Sequence, residues 1–276
     1  MGIDFHHPDN AGAYATRRAD DGWRRAIRRI VDPAGLRVVD VGCGGGIYST
    51  ALAEMGAASV TGVDSSAQMI ADARQRSTEE ADRQRDGDAA DVVFRQGEAH
   101  ATGLPDVSAD LVLQRALVHH IDDPTPVFAE AGRILAPGGA LLVQDRTIED
   151  VVAPASAMHF RGAFFELYPR LAEIEARRRP TRAALDEQLR SAGLTVVGHH
   201  HLSERRRSYS TLEELHADLM SRTGRSILHE LDDAELRRLA DHICAILVDS
   251  FRYGEPIHEV DHWTIWHAQA SFQLGH

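Results

Sequence analysis

Some residues in this chain have types and spacings that can do chemistry. The first group is Asp40-Val41-Gly42-Cys43-Gly44-Gly45-Gly46, a carboxylate followed by a glycine cluster. Glycine lets a backbone approach a ligand closely, because no Cβ stands in the way. Asp64 lies about 20 residues beyond the glycines, where a carboxylate can accept both hydroxyls of a ribose. The pair His119-His120 offers imidazole, which titrates near pH 6.5 and can serve as a general base. Adjacent residues on a helix point in different directions, so at most one of the two is expected at the reacting atom.

These groups need elements to position them. Val38 to Val41 is an apolar, β-branched run that predicts a buried parallel strand over roughly 37 to 42. A helix follows over roughly 47 to 55, with Gly56 as its stop. Strand, glycine turn and helix together place a ligand on backbone N–H groups at a positive helix end. Ser59 to Asp64 predicts a second strand, and Ser65-Ser66 cap a helix over roughly 66 to 85. Met69 falls on the first turn of that helix, either against a bound ring or in the core. Val92 to Gly97 predicts a third strand, followed by Glu98-Ala99, and Leu111 to Gln114 a fourth. Pro137-Gly138-Gly139 turns the chain into a fifth strand, Ala140 to Val143. This alternation implies a parallel α/β sheet. Ligands of such sheets lie beyond the carboxyl ends of the strands. Gln114, Arg115, His119 and His120 follow the fourth strand, and Asp145-Arg146 end the fifth.

A dinucleotide fingerprint needs a third glycine at position 47, and that residue is Ile47. The pattern Asp40-x-Gly42-x-Gly44-x-Gly46 instead resembles the first motif of class I S-adenosylmethionine-dependent methyltransferases. Two later blocks are similar to that family's recurring signatures. They are Gly97-Glu98-Ala99 with Leu104-Pro105 and Asp110 to Leu113, and Arg133 to Val143 with its Pro-Gly-Gly turn. The resemblance covers residues 38 to 145. It implies a Rossmann-like α/β fold: a mostly parallel seven-stranded sheet with helices on both faces. It also implies S-adenosylmethionine as cofactor and S-adenosylhomocysteine as product. Gly42, Gly44 and Gly46 would lie against the methionine part, with Asp40 near its amino group. Asp64 would hold the ribose beside Ser65, and Met69, Glu98 and Ala99 the adenine. Gln114, Tyr14 and Arg17 complete the expected cofactor set. The acceptor would be met by Arg115, His159, Arg161, Phe164, Phe165 and Tyr168. For the aromatic members of that set, an amphipathic core helix is the alternative. His119 or His120 would be the base where one is needed.

The rest of the chain is read as parts of one domain. Trp23, Ile27, Ile30 and Val31 lie at helical spacing in a helix over roughly 9 to 31, so residues 1 to 33 form an N-terminal cap. Residues 34 to 150 form the cofactor core, and residues 151 to 276 the acceptor side. Leu194 to Gly198 and Trp263 to Ala268 predict the last two strands. Between them, Thr211-Leu212-Glu213-Glu214 fits a capping box, and Leu236, Leu239, Ile243, Ile246 and Leu247 form an apolar stripe. That segment, about 205 to 258, is expected as a helical lid insertion. Its stripe must be buried, under the lid or against a second copy in a homodimer.

Composition narrows the function. The chain has 276 residues, 43% of them hydrophobic, with a formal net charge of −12 and arginine as its basic residue throughout. An acidic balance disfavours nucleic acid and membrane surfaces as partners and leaves a small-molecule acceptor. Arg177 to Arg179 and Arg205 to Arg207 are expected on solvated faces. The polar opening residues do not read as a signal peptide, and two cysteines suit a reducing, cytoplasmic compartment. His199-His200-His201 cannot all bind one metal, since strand alternation splits them over two faces, so no metal is expected. The reaction expected is methyl transfer to an O or N nucleophile. A protein that binds S-adenosylmethionine without methyl transfer is the alternative, and an NAD(P)-dependent oxidoreductase a weaker one.

Overall fold

The computed structural model describes residues 19–83, 91–253 and 256–270. Its strands are β1 (Arg37–Val41), β2 (Ser59–Asp64), β3 (Val92–Gln96), β4 (Ala109–Arg115), β5 (Leu135–Asp145), β6 (Leu194–Tyr209) and β7 (Ile257–Ala270). The first helices are α1 (Asp21–Ile30), α2 (Ile47–Glu54), α3 (Ala67–Arg83), α4 (Thr125–Ile134) and α5 (Ile148–Val151). They are followed by α6 (Gly162–Leu167), α7 (Arg170–Arg178), α8 (Arg182–Ser191), α9 (Leu212–Met220) and α10 (Asp233–Leu247).

The seven strands lie in the order β3-β2-β1-β4-β5-β7-β6. The first five pair in parallel, and β7 lies antiparallel on β5. Val38, Val39 and Val41 on β1, and Leu111, Val112 and Leu113 on β4, are all buried. That is the continuous apolar run of a strand covered on both faces. Chain order reverses between β1 and β4, so the loops leaving these two strands diverge and open a crevice. Val41 pairs with Gln114, which sets the end of β1 beside the end of β4.

The described residues form two compact units. One takes in residues 19–145, 182–202 and 264–270. Its core joins sheet residues such as Val112, Leu141 and Trp266 to Phe128, Ile134, Leu185 and Leu189 from helices. The other takes in residues 146–181 and 203–263 and has a core of its own, built from Phe160, Phe164, Leu171, Leu215, Leu219, Leu236, Leu239 and Ile243. The expected 205–258 insertion shares its apolar core with residues 146–181, because α6 and α7 supply aromatic and aliphatic side chains to the stripe of α10. Among the described residues no helix is long and apolar enough to cross a membrane.

Several local expectations shift. Of the helix expected over 9 to 31, the described part is α1, capped by Asp20, whose carboxylate accepts the Trp23 N–H at 2.7 Å. β5 starts five residues earlier than expected, at Leu135 rather than Ala140. A register slip between Ala109 and Leu111 takes up the Pro-Gly-Gly segment. A Cβ on Gly139 would stand 2.8 Å from the Ala136 carbonyl oxygen, so glycine is required there. Thr211 caps α9 by accepting the Glu214 N–H, but Glu214 accepts from Ser210 instead of closing the box on Thr211. The arginine runs are not wholly solvated. Strand alternation turns Arg206 inward onto Glu259 at 2.7 Å, and Arg179 is buried against Glu175 at 2.7 Å.

Candidate functional site

The glycine turn after β1 is the floor of the site. Gly42, Gly44 and Gly46 have φ of 75°, 50° and 78°, the left-handed region that favours glycine. The alternating spacing read in the sequence is this backbone conformation. Behind the turn the packing is tight: a Cβ on Gly46 would lie 2.6 Å from the Phe94 ring. In front it is open, for a Cβ on Gly44 or Gly45 would meet nothing within 4 Å. The turn is thus a cradle of backbone beside free space.

Two carboxylates frame it. Asp64, at the end of β2, accepts the Gly44 N–H and the Ser66 N–H, each at 2.9 Å. It ties the turn down and keeps further lone pairs on both oxygens. Asp40 is buried and accepts the Ser49 hydroxyl at 2.6 Å. Burial pushes its carboxyl up to about 6; Asp64 adds to the rise, while Ser49 and Arg115 oppose it. Ser66 rather than Ser65 caps α3, its hydroxyl accepting the Met69 N–H at 3.3 Å. Met69 is buried, Ser65 exposed. Glu98 is exposed in a tight bridge to Ala101, and Ala99 packs on the first unit's core.

The end of β4 carries the remaining groups. Gln114 is 1% exposed, and neither its Oε1 nor its Nε2 has a hydrogen-bond partner. A carboxamide left so costs several kcal/mol, on the order of 1–3 for each group, unless a ligand completes it. The Arg115 guanidinium lies 3.9 Å above the Tyr48 ring, which meets Trp23 edge-on at 4.8 Å. The Trp23 indole N–H donates to Gln144 Oε1 at 2.8 Å. Ala116 then takes φ of 53°, a conformation rare outside glycine and concentrated at functional sites.

His119 follows in a short 3₁₀ turn, Val118–His120. Its Nδ1 lies 2.8 Å and 3.0 Å from the two oxygens of Asp145, and its backbone N–H donates to the same carboxylate at 3.3 Å. Asp145 is the last residue of β5 and is buried. A carboxylate there places the imidazole proton on Nδ1 and leaves the Nε2 lone pair to accept another. His120 is exposed and lies against His119, ring centroids 3.9 Å apart and planes tilted by 44°. The sequence reading offered both histidines. The structure gives the carboxylate to His119. It also adds Asp145, whose part in the site its place at the end of the fifth strand does not reveal. Its signal was an acid closing one strand beside a histidine that follows the neighbouring one.

The other expected acceptor residues belong to the second unit. Phe164 and Phe165 are buried in its core, and the Tyr168 hydroxyl donates to the Glu235 carbonyl at 3.1 Å. His159 and Arg161 are buried in a charged cluster of that unit. Tyr14 and Arg17 lie outside the described residues. His199 pairs with Asp186 at 2.8 Å, while His200 faces His267 at 6.4 Å, so the histidine run is split. Among the described residues no His, Cys, Asp or Glu group is arranged to hold a metal ion.

Comparison with known proteins completes the picture. Residues 39–143 match the family described as "Methyltransferase domain". The chain is 38% identical over 115 residues to the ubiquinone biosynthesis O-methyltransferase of Pseudomonas entomophila, covering 41% of this chain and 45% of that protein. The chain thus spans less than half the length of the curated relatives it matches. A SAM-dependent methyltransferase from Methanosarcina mazei shares the fold with a TM-score of 0.53 at 16% identity, over 90% of this chain and 98% of that one. So does the [4+2]-cyclase SpnF, with a TM-score of 0.53 at 20% identity, over 92% and 85%.

Proposed function

We propose, for a chain whose residues 39–143 match a methyltransferase-domain family, that it is an S-adenosylmethionine-dependent methyltransferase and transfers a methyl group to an oxygen of a small molecule. The observation that carries the reading is His119 held on buried Asp145 at the end of β5. A hydroxyl acceptor sheds a proton as its oxygen is methylated, and a positioned base assists that step.

The residues present fit the cofactor. Gly44 and Gly45 leave a cradle a Cβ would fill, and Gln114 is a buried carboxamide lacking partners. Asp40 is a buried carboxyl held near 6 that a cationic amino group would bring down again. In this reading Gly42, Gly44 and Gly46 bear the methionine part, Asp40 its amino group and Asp64 the ribose. Met69, Glu98 and Ala99 face the adenine. When bound, S-adenosylmethionine supplies an activated methyl group. His119 takes the acceptor's hydroxyl proton at Nε2, and Asp145 stabilises the imidazolium that results. Gln114 and Arg115 orient what lies at the end of β4.

The fold alone does not fix the reaction, since a neighbour on the same fold is a cyclase. The experiment is therefore staged. Calorimetry with S-adenosylmethionine, S-adenosylhomocysteine and NADH comes first. Binding of the first two and silence for NADH supports the cofactor; the reverse sinks it. A screen of hydroxylated small molecules by product mass then reads methyl transfer. Asp145→Asn should lower kcat by about 100- to 10,000-fold with cofactor affinity unchanged. An unchanged kcat would remove His119 from the mechanism.

A further inference from the structure

The second unit contains a guanidinium whose bonds are incomplete. Arg161 is 3% exposed. Its nearest carboxylate oxygens are Glu175 Oε1 at 4.0 Å and Asp261 Oδ1 at 3.9 Å, beyond hydrogen-bond reach. Each acid is engaged more closely by another arginine. Arg179 Nε meets Glu175 at 2.7 Å, and Arg146 meets Asp261 at 2.9 Å. Glu259, which also feels Arg161, is taken by Arg206 and Arg225 at 2.7 Å each. Arg161 Nε is buried with no partner. Burial, with Arg146 adding to it, brings the group down to about 9.

His159 is the second incomplete group. It is buried, its Nδ1 donates to the Val260 carbonyl at 3.3 Å, and its Nε2 has no partner. Its ring lies 4.9 Å from His262, whose Nδ1 meets the Ser203 hydroxyl at 3.1 Å. A buried charge short of hydrogen bonds is costly unless something completes it. Aromatic surface lies at hand: the Arg161 guanidinium is 5.9 Å from the Phe164 ring, and that of Arg146 is 4.7 Å from the Trp263 ring.

We propose that Arg161 binds the carboxylate of a small organic molecule beside His159, whose Nε2 lone pair is left to accept a hydrogen bond from that molecule. This binding does not rest on the methyltransferase reading. One negative charge balances one guanidinium. A dianion would also meet Glu175 and Asp261, the acids about 4 Å from Arg161, and be repelled by both. A planar carboxylate also fits the fork of an arginine.

The test is calorimetry on the full chain with benzoate, its neutral isostere benzamide, and inorganic phosphate. S-adenosylhomocysteine is titrated in parallel. At about pH 8.2, where inorganic phosphate is chiefly the dianion, benzoate should bind, and benzamide and phosphate should bind at least about tenfold more weakly, since the first has no charge and the second two. Arg161→Gln, shown folded by its near-UV spectrum, should lose benzoate binding by at least about tenfold. Should that variant not fold, the three ligands on the unaltered protein decide alone. Equal binding of benzamide or phosphate, no benzoate binding, or an unaffected Arg161→Gln protein would each overturn the site. S-adenosylhomocysteine bound with benzoate silent would fell this site and leave the methyltransferase reading standing. Arg161-dependent benzoate binding without S-adenosylhomocysteine would do the opposite.

Discussion

Asp40→Asn separates what this carboxylate does for stability from what it does for binding. In the folded chain its carboxyl titrates at about 6, against an ordinary value of 3.8. That rise of about 2.2 units, at about 1.36 kcal/mol per unit, makes the ionised form about 3 kcal/mol less stable when folded. The folded state holds this proton more tightly than the unfolded chain. Asp40 therefore costs little below pH 4, and stability is lost as pH rises through about 4 to 6. Between about pH 4.5 and 7.5 the wild type should lose about 2 kcal/mol through this group. Asparagine keeps the acceptor for the Ser49 hydroxyl but buries an amide N–H₂, at a cost of about 1–3 kcal/mol. That cost is the same at both pH values and cancels in the comparison. Urea denaturation of both proteins at the two pH values should show a relative gain of about 2 kcal/mol for Asp40→Asn at the higher one. The same substitution removes the charge expected to meet the cofactor's amino group, so S-adenosylhomocysteine should bind about 10- to 150-fold more weakly. Identical pH dependence in the two proteins would refute the desolvation argument. Unchanged affinity would refute the amino-group assignment.

Other outcomes follow from the same geometry. Asp64→Ala should weaken S-adenosylhomocysteine binding by about 1–3 kcal/mol, because it removes the proposed ribose acceptor and the anchor of the Gly44 N–H; calorimetry showing no change would sink the ribose role. Gly46→Ala and Gly44→Ala should part company. The first drives a Cβ into Phe94 and should destabilise by about 2–4 kcal/mol. The second meets open space and should cost only about 1–2 kcal/mol in thermal or urea unfolding, yet reduce cofactor binding at least about tenfold. His159 is held low chiefly by burial, so the unfolded chain takes up its proton first. Stability should fall as pH drops through about 6.5, and His159→Gln should flatten that part of the denaturation profile. A profile unaltered by the substitution would show that the imidazole is not the desolvated group.

How far the fold could be read from the chain follows from where each signal is stored. β1 and β4 are buried parallel strands, and burial on both faces writes itself as unbroken Val and Leu runs. Asp40 to Gly46 was legible for a backbone reason: a positive φ at alternate residues demands glycine, and glycine is visible in sequence. Side-chain patterns were less informative. Phe164 and Phe165 lie in a segment whose spacing suits either a ligand or a core, and their packing is decided by α10, some seventy residues later. The two-unit division was hidden for the same reason. Residues 146–181 carry no boundary signal, and only tertiary contact joins them to 203–263.

The His119–Asp145 pair shows where sequence reading stops and what the sheet adds. The residues stand 26 apart in the chain, and neither position has a local pattern that names the other. What joins them is the parallel pairing of β4 on β5, with Arg115 opposite Gln144. That register makes Asp145 the next residue along β5, while the chain beyond Arg115 must turn back to deliver a side chain to it. Ala116 makes the turn at φ of 53°, its N–H donating to the Gln144 carbonyl at 2.8 Å. An L-residue pays roughly 1–2 kcal/mol for that conformation. In return Gln114 stays buried, Arg115 reaches Tyr48, Leu117 packs against the glycine turn, and His119 arrives on its carboxylate. A small residue under backbone strain, at the point where chain order reverses, thus sets the cradle and the proposed base in one rigid frame.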